Sequence, residues 1–140
     1  MGYWLRFVSN AVSNGFARRV EERGVSVAEW VVMRILLERP PMISSRIAEE
    51  MGMTRGAVTK LADRLLAKGL VTRTPSQDDG RVQLLALTAA GRDLVPTLAR
   101  LADENDEFYF RHLTADERKA LEGLLKKVVT AAELSTVPID

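Results

Sequence analysis

The chain contains no cysteine and only one histidine, His112. Without thiols it cannot form disulfides, thiolate zinc sites or a cysteine-based redox sensor. A zinc site built from several imidazoles is not expected from a single histidine. No spacing of carboxylates indicates a metal site either, so no metal is predicted.

Long hydrophobic segments are also absent. No apolar run approaches the roughly 20 residues that span a bilayer. The first residues, Met1 to Arg6, lack the basic-then-apolar order of a signal peptide. We therefore expect a cytoplasmic protein without a membrane partner. A chain of 140 residues is long enough for one domain with its own core.

Recognisable catalytic patterns are missing as well. His112 is the only histidine available to a Ser-His-Asp set, and the sequence has neither a glycine-rich phosphate loop nor an H-E-x-x-H segment. Acidic pairs such as Asp103 and Asp106 fit the solvated face of a helix better than acid–base catalysis. We predict no enzyme activity, no catalytic residue and no cofactor.

The net charge of +1 does not indicate a nucleic-acid partner, so the distribution of charge matters more. Residues 42–82 contain seven basic and five acidic side chains, whereas residues 101–122 contain three basic and seven acidic ones. A basic middle beside an acidic late segment would orient the protein on a polyanion. An ordinary mixed surface explains the same counts, and charge alone does not decide between the two.

The first part of the chain predicts two helices. Apolar side chains recur at helical spacing over residues 2–22. Ser26 and Glu29 then form a capping box, in which each side chain accepts a free backbone N–H at the start of a helix. This second helix should reach about residue 39, where two prolines end it.

Residues 44–69 predict a helix, a tight turn and another helix. Ser44 or Ser45 should cap the first of them, and Gly52 can take the left-handed conformation that ends it. Thr54 should cap the following helix. Three branched apolar residues share one face of that helix and should anchor it on the core: Val58, Leu61 and Leu65.

Two strand-type runs follow at residues 70–74 and 82–87, and Asp79-Gly80 between them is a hairpin signal. Thr88 should cap a long helix to about residue 112, and Thr114 with Glu117 forms a second capping box at the start of a last helix. The order predicts an α+β, mainly helical, winged helix-turn-helix. In that fold the helix capped by Thr54, called the recognition helix, fits a DNA major groove, and the hairpin reaches the flank.

The exposed face of the recognition helix has the residue types that a DNA groove requires. Gly56 lets the backbone approach base edges, and Thr59 can meet a thymine methyl or donate to a base. Arg55 can reach a guanine or a phosphate. Lys60 and Arg64 are better placed for phosphates, which position a helix without reading sequence.

In the hairpin, Arg81 lies beside the tip, where a guanidinium could enter the narrow, electronegative minor groove. Asp79 is predicted to brace Arg81 or an arginine of the recognition helix. Asp78, Asp79 and Gly80 can at the same time be ordinary turn residues. The full set of predicted DNA-contacting residues is Ser44, Thr54, Arg55, Gly56, Thr59, Lys60, Arg64, Arg73, Asp79 and Arg81.

Two alternatives stay open beside this interpretation. Taken alone, the sequence of the recognition helix fits an ordinary amphipathic helix with a solvated face almost as well. Only the hairpin after it favours DNA binding strongly. The second alternative is a winged-helix protein-interaction module that never contacts DNA. Such a module would have no need of Arg55 and Arg81.

These segments together resemble the MarR family of bacterial transcription regulators. The similarity spans nearly the whole chain in family order. Its most specific part is the wing, Asp79-Gly80-Arg81, followed by Leu87-Thr88-Ala89-Ala90-Gly91. The other matching segments are residues 27–30, 47–49, 51–59 and 68–71.

The resemblance implies a homodimer on a pseudo-palindromic operator, and a regulator that we expect to be a repressor. It divides the single 1–140 domain into a winged helix-turn-helix portion, residues 27–87, and dimerisation helices, residues 1–22 and 89–133. The last helix carries an apolar stripe wider than a small monomer needs, and the first helix adds Trp4, Val8 and Phe16. Both agree with dimerisation.

The resemblance also implies an effector pocket between the two portions. Members of the family that sense peroxide through a cysteine, or zinc through histidines, use side chains that this chain lacks. A small anionic or phenolic molecule remains, or no ligand. Trp30, Met33 and Arg34 are the residues we expect to line the pocket, although Trp30 and Met33 are also ordinary core residues.

Overall fold

The computed structural model describes residues 1–139, which form six α-helices and three short β-strands. The fold is α+β and mainly helical, as predicted. None of the helices in residues 1–139 is long and apolar enough to cross a membrane. In chain order the elements are α1 (Gly2–Glu21), α2 (Val27–Leu36), β1 (Met42–Ile43), α3 (Ser44–Met51), α4 (Arg55–Ala67), β2 (Val71–Pro75), β3 (Gln83–Leu87), α5 (Ala89–Phe110) and α6 (Ala115–Ala131).

Side-chain caps start four of the helices where the sequence predicts them. At α2 the hydroxyl of Ser26 accepts the Glu29 N–H at 3.1 Å, and the Glu29 carboxylate accepts the Ser26 N–H at 3.2 Å. Thr114 and Glu117 repeat this box at α6. The remaining two caps are simple threonine caps, at α4 and α5. Each such cap contributes about 1 kcal/mol.

The three strands form one antiparallel sheet in the order β1-β3-β2. Strands β2 and β3 make the predicted hairpin, with Val71 opposite Leu87. Strand β1 was not predicted, because its two residues are too short to show a pattern; it pairs Met42 with Leu85. The sheet therefore joins the hairpin to the segment that leads into α3.

Helix α2 lies at the centre of the core and packs against α1, α3, α4, α5 and β3. It is buried almost all round, so its sequence is apolar rather than amphipathic. Helix α4 buries one side only, with the residues predicted for it plus one alanine: Val58, Leu61, Ala62 and Leu65. Full burial of a valine or leucine side chain is worth about 1.5–3 kcal/mol.

Two helix ends differ from the prediction. Helix α2 stops at Leu36 instead of residue 39, because Leu37 is extended (ψ 131°) and Glu38 has a positive φ of 57°. The serine cap predicted for α3 is wrong: Ile43 takes the N-cap position, and no side chain caps that helix. Ile43 is extended because it pairs with Leu84 in the sheet, so Ser44 is already helical.

Helices α1 and α5 cross at Gly15. A Cβ atom on Gly15 would lie 2.7 Å from Oδ1 of Asn105 and 2.8 Å from the hydroxyl oxygen of Tyr109. Asn105 is buried, and its Nδ2 donates to the carbonyl of Val12 at 3.0 Å. Within residues 1–139 its Oδ1 has no hydrogen-bond partner. The absence of a side chain at Gly15 thus sets how closely the two long helices approach.

Gly91 has a similar function where α5 leaves the sheet. The carbonyl of Leu70 accepts the Thr88 N–H at 3.0 Å, and the Thr88 hydroxyl caps the helix by accepting the Gly91 N–H. A Cβ atom on Gly91 would lie only 2.1 Å from that same Leu70 oxygen. A side chain at position 91 would collide with this carbonyl. The Leu87-Thr88 pair is therefore followed by a glycine at position 91.

We expect Gly91→Ala to lower the free energy of unfolding by about 1–3 kcal/mol or more, because the Leu70 backbone has to move to admit a methyl group. Urea or thermal unfolding measures this effect. Gly56→Ala is the matched control, since nothing lies within 4 Å of a Cβ at that helical position. The control should gain up to about 1 kcal/mol. Unchanged stability of Gly91→Ala would contradict the packing described above.

Candidate nucleic-acid interface

The turn between α3 and α4 is built from local hydrogen bonds. Gly52 has a φ of 65°, the left-handed conformation expected for a helix-ending glycine. The Met53 N–H donates to the Ala48 carbonyl at 3.0 Å, which folds the chain back at once. Thr54 then caps α4 by accepting the Ala57 N–H at 3.1 Å. The two helices are therefore held in a fixed relation by a turn of three residues.

The outer side of α4 carries basic residues that no acid neutralises. Arg55, Lys60 and Arg64 are exposed, and in the described chain none of them has a carboxylate within 4.0 Å. Gly56 lies among them with open space around it. Free guanidinium and ammonium groups of this kind can neutralise phosphates or donate to guanine.

Thr59 contributes less as a donor than the sequence suggested. Its hydroxyl donates to the Arg55 carbonyl at 2.9 Å, inside the helix. Its methyl group and the oxygen lone pairs remain available to a base edge. Ser44, at the start of α3, is half-buried and does not cap that helix.

In the wing, Asp79 holds Arg81. One carboxylate oxygen of Asp79 accepts the backbone N–H of Arg81 at 3.0 Å and its Nε–H at 3.4 Å. The Arg81 side chain is 93% exposed beyond this contact. The sequence left open whether Asp79 contacts Arg81 or an arginine of the recognition helix. In the structure it contacts Arg81, and the same carboxylate shapes the turn.

Arg73 differs from the other predicted DNA-contacting residues. Its guanidinium donates to Asp63 on α4 at 2.8 Å, so part of its charge is already neutralised. This ion pair connects strand β2 of the hairpin with the recognition helix. The wing and the outer side of α4 are thereby joined by a side-chain contact.

Comparison with known proteins agrees with this geometry. The sequence profile of the MarR family matches residues 25–82, the segment from the end of α1 to the wing. Among solved structures, YusO from Bacillus subtilis superposes with a TM-score of 0.79 at 28% identity, over 93% of this chain and 92% of that one. The winged helix-turn-helix portion of the chain therefore matches the MarR family.

Two further relatives show how far the similarity to MarR-family proteins extends. A mutant of MarR from Escherichia coli, solved in complex with operator DNA, has a TM-score of 0.77 and 26% identity, covering 91% of this chain and 92% of that one. The transcriptional repressor IacR of Pseudomonas putida is 27% identical over 126 residues, which are 90% of this chain and 75% of that protein.

The MarR-like effector residues predicted from the sequence are only partly brought together. Trp30 and Arg34 line an open cleft of about 430 Å³ on the outer side of α2, which Val137 and Pro138 close from the other side. The Arg34 guanidinium stacks over the Trp30 ring at 5.7 Å. Met33 does not belong to this cleft, because it is fully buried in the core.

Sequence reasoning missed an ion pair between Glu29 and Lys68, whose Oε2 and Nζ are 2.6 Å apart. The capping box revealed one partner of Glu29, the Ser26 N–H, but not the second. Lys68 lies 39 residues further on, so no local pattern connects the two residues. Only the packing of α4 against α2 brings them together.

We expect Arg81→Ala to weaken operator binding by about 1–3 kcal/mol while leaving thermal stability unchanged, since within residues 1–139 the side chain hydrogen-bonds only to Asp79 of its own turn and is 93% exposed. Fluorescence anisotropy with an operator duplex measures the affinity. Arg23→Ala, which removes an exposed arginine from the loop after α1, is the control for the loss of one charge. Equal affinities of the Arg81 variant and the parent protein would remove the wing from the interface.

Proposed function

We propose that the protein is a sequence-specific DNA-binding regulator of transcription, which acts as a repressor and binds a pseudo-palindromic operator as a homodimer. The observation that carries this proposal is the unpaired basic face of α4, presented beside a braced wing arginine. The operator complex of Escherichia coli MarR and the repressor name of IacR support it.

The residues on this surface divide into two groups by what they can recognise. Arg55, Gly56 and Thr59 occupy the first turns of α4, where base edges come closest in a major groove. Lys60 and Arg64 lie further along the helix and neutralise phosphates. Arg81 enters the flanking minor groove. Ser44 and Thr54, at the starts of α3 and α4, are proposed to contact the backbone.

The homodimer is supported by apolar side chains that the single chain leaves in solvent. Helix α6 has no buried residue, and its apolar stripe is exposed: Leu121, Leu124, Leu125, Val128 and Val129. At the other end, Trp4 and Phe7 of α1 are also exposed. Phe16 is excluded from this surface, because its ring packs edge-on against Trp30. Residues 1–22 and 89–133 are thus proposed as the dimerisation helices.

Three further parts of the proposal follow from a regulator of this kind. It has no catalytic function, and it acts in the cytoplasm, where its DNA is. A small anionic or phenolic effector is proposed to bind at the cleft lined by Trp30 and Arg34, because the exposed Arg34 guanidinium has no carboxylate partner in the part of the chain described.

Selection of bound duplexes from a random-sequence library tests the function directly. We expect a recovered sequence with two related half-sites centred roughly 10 bp apart. Affinity for it should fall with salt with a log–log slope on the order of −5 or steeper, because several phosphates release counterions. Recovery of no preferred sequence, or a flat salt dependence, would favour the protein-interaction module.

A second prediction concerns the dimer. We expect Leu124→Glu combined with Val128→Glu to give a monomer in sedimentation, since two carboxylates would have to be buried in the interface. Operator affinity should fall by about 100-fold or more with the loss of the second binding module. Lys119→Glu on the opposite side of α6 is the matched control. A stable dimer of the double variant would place the interface elsewhere.

A further inference from the structure

The carboxylate of Glu29 is nearly buried and has two partners on different elements. Its side chain is 4% exposed, whereas every other acid in the ion pairs of residues 1–139 is at least 32% exposed. One oxygen accepts the Ser26 N–H at the start of α2, and the other accepts the Lys68 ammonium at 2.6 Å. An acid placed in this way does not serve solubility.

Lys68 occupies the C-cap of α4, the helix that carries the proposed base contacts. Its backbone N–H still donates to the Arg64 carbonyl, so it belongs to the last turn of the helix. Gly69 follows with a φ of 71°, and the chain then enters β2. The ion pair therefore attaches the C-terminal end of the recognition helix to the N-terminal end of α2.

A directional contact at this point controls the tilt of α4 in a way that apolar packing does not. The crossing angles of packed helices scatter by about 15–20° around their preferred values from one helix pair to another, so apolar packing alone does not define a single angle. A short hydrogen bond between charged groups fixes both distance and direction. Thirteen residues span roughly 20 Å of helix, so a rotation of roughly 10° displaces the Lys68 end of α4 relative to the Arg55 end by about 3 Å. That displacement is as large as a hydrogen bond is long.

We propose that Glu29 and Lys68 are positioning residues for DNA recognition: the pair sets the angle at which α4 presents Arg55 and Thr59 to the groove. The inference rests on the proposed function. It also assigns Lys68 a different role from Lys60. Lys60 has no acidic partner in the described residues and contacts phosphate, whereas the Lys68 ammonium is directed inward to Glu29 and contributes no phosphate contact.

The test uses the full-length dimer and the operator recovered by selection, with affinity measured over a range of salt concentrations. Four variants are compared with the parent protein: Glu29→Gln, Lys68→Met, the combination of both, and Lys68→Arg. Glu29→Gln keeps an oxygen for the Ser26 N–H, and it removes the charge together with the oxygen that accepts from Lys68. Lys60→Ala is the comparison variant for a phosphate contact, and urea unfolding is measured for every protein.

We expect Glu29→Gln and Lys68→Met each to lower operator affinity about tenfold, which is ~1.4 kcal/mol. The combination should bind no more weakly than either single variant, because both break the same ion pair. The salt slope and the affinity for unrelated DNA should stay at parent values. Lys60→Ala should instead reduce the steepness of the slope by about one for each phosphate that is no longer neutralised. Lys68→Arg should bind like the parent, since a guanidinium can also donate to Glu29.

Two results would overturn the inference. A reduced salt slope in Lys68→Met, with Glu29→Gln unaffected, would make Lys68 a phosphate contact. Lower stability with unchanged operator affinity of the folded variants would leave the pair a purely structural support. Should Lys68→Met not fold because it leaves a buried carboxylate unpaired, Glu29→Gln decides alone by the same two readouts. Failure to recover any operator would instead reject the proposed function, which separates the two claims.

Discussion

Burial of α4 on one side only is the constraint on which the DNA-facing surface depends. Val58, Leu61 and Leu65 have to lie in the core, and helical geometry then leaves the opposite side in solvent. The apolar side determines which side of α4 faces solvent, and the ion pair of Lys68 with Glu29 is proposed to set the angle of the helix. The turn at Gly52 and the cap at Thr54 fix where this helix begins. One side of α4 thus stabilises the fold, and the opposite side presents the residues proposed to contact DNA.

A protein with a net charge of only +1 needs a local arrangement to attract a polyanion. Acids are present beside the basic residues, but their placement limits their effect. Asp63 forms an ion pair with Arg73, which connects the hairpin to α4. Asp79 lies under Arg81 and leaves its guanidinium in solvent. Neither carboxylate pairs with the basic residues on the outer side of α4, so those keep their full charge. Overall charge is therefore a poor guide to this surface, whereas the pairing pattern describes it.

Most of the fold could be predicted from the sequence, because its signals are local. Capping boxes, helix-ending glycines and the hairpin turn each involve residues within a few positions of one another. What could not be predicted depends on contacts between distant segments. Strand β1 forms only because β3 lies beside it. This pairing makes Ile43 the N-cap of α3, where the sequence had predicted a serine. The ion pair of Glu29 and the burial of Met33 likewise follow from helix packing. The DNA-contacting set was predicted from residue types, while the engagement of Arg73 by Asp63 required the three-dimensional structure.

The unburied stripe of α6 has a consequence for gene dosage. In the proposed dimer, α6 gains its packing from a second copy, so folding of this part and association are linked through protein concentration. When subunits are scarce, the amount of dimer rises with the square of the total subunit concentration. A doubling of synthesis then gives about four times as much operator-competent protein. Such a regulator responds to its own abundance more steeply than in proportion, and no ligand is needed for this response.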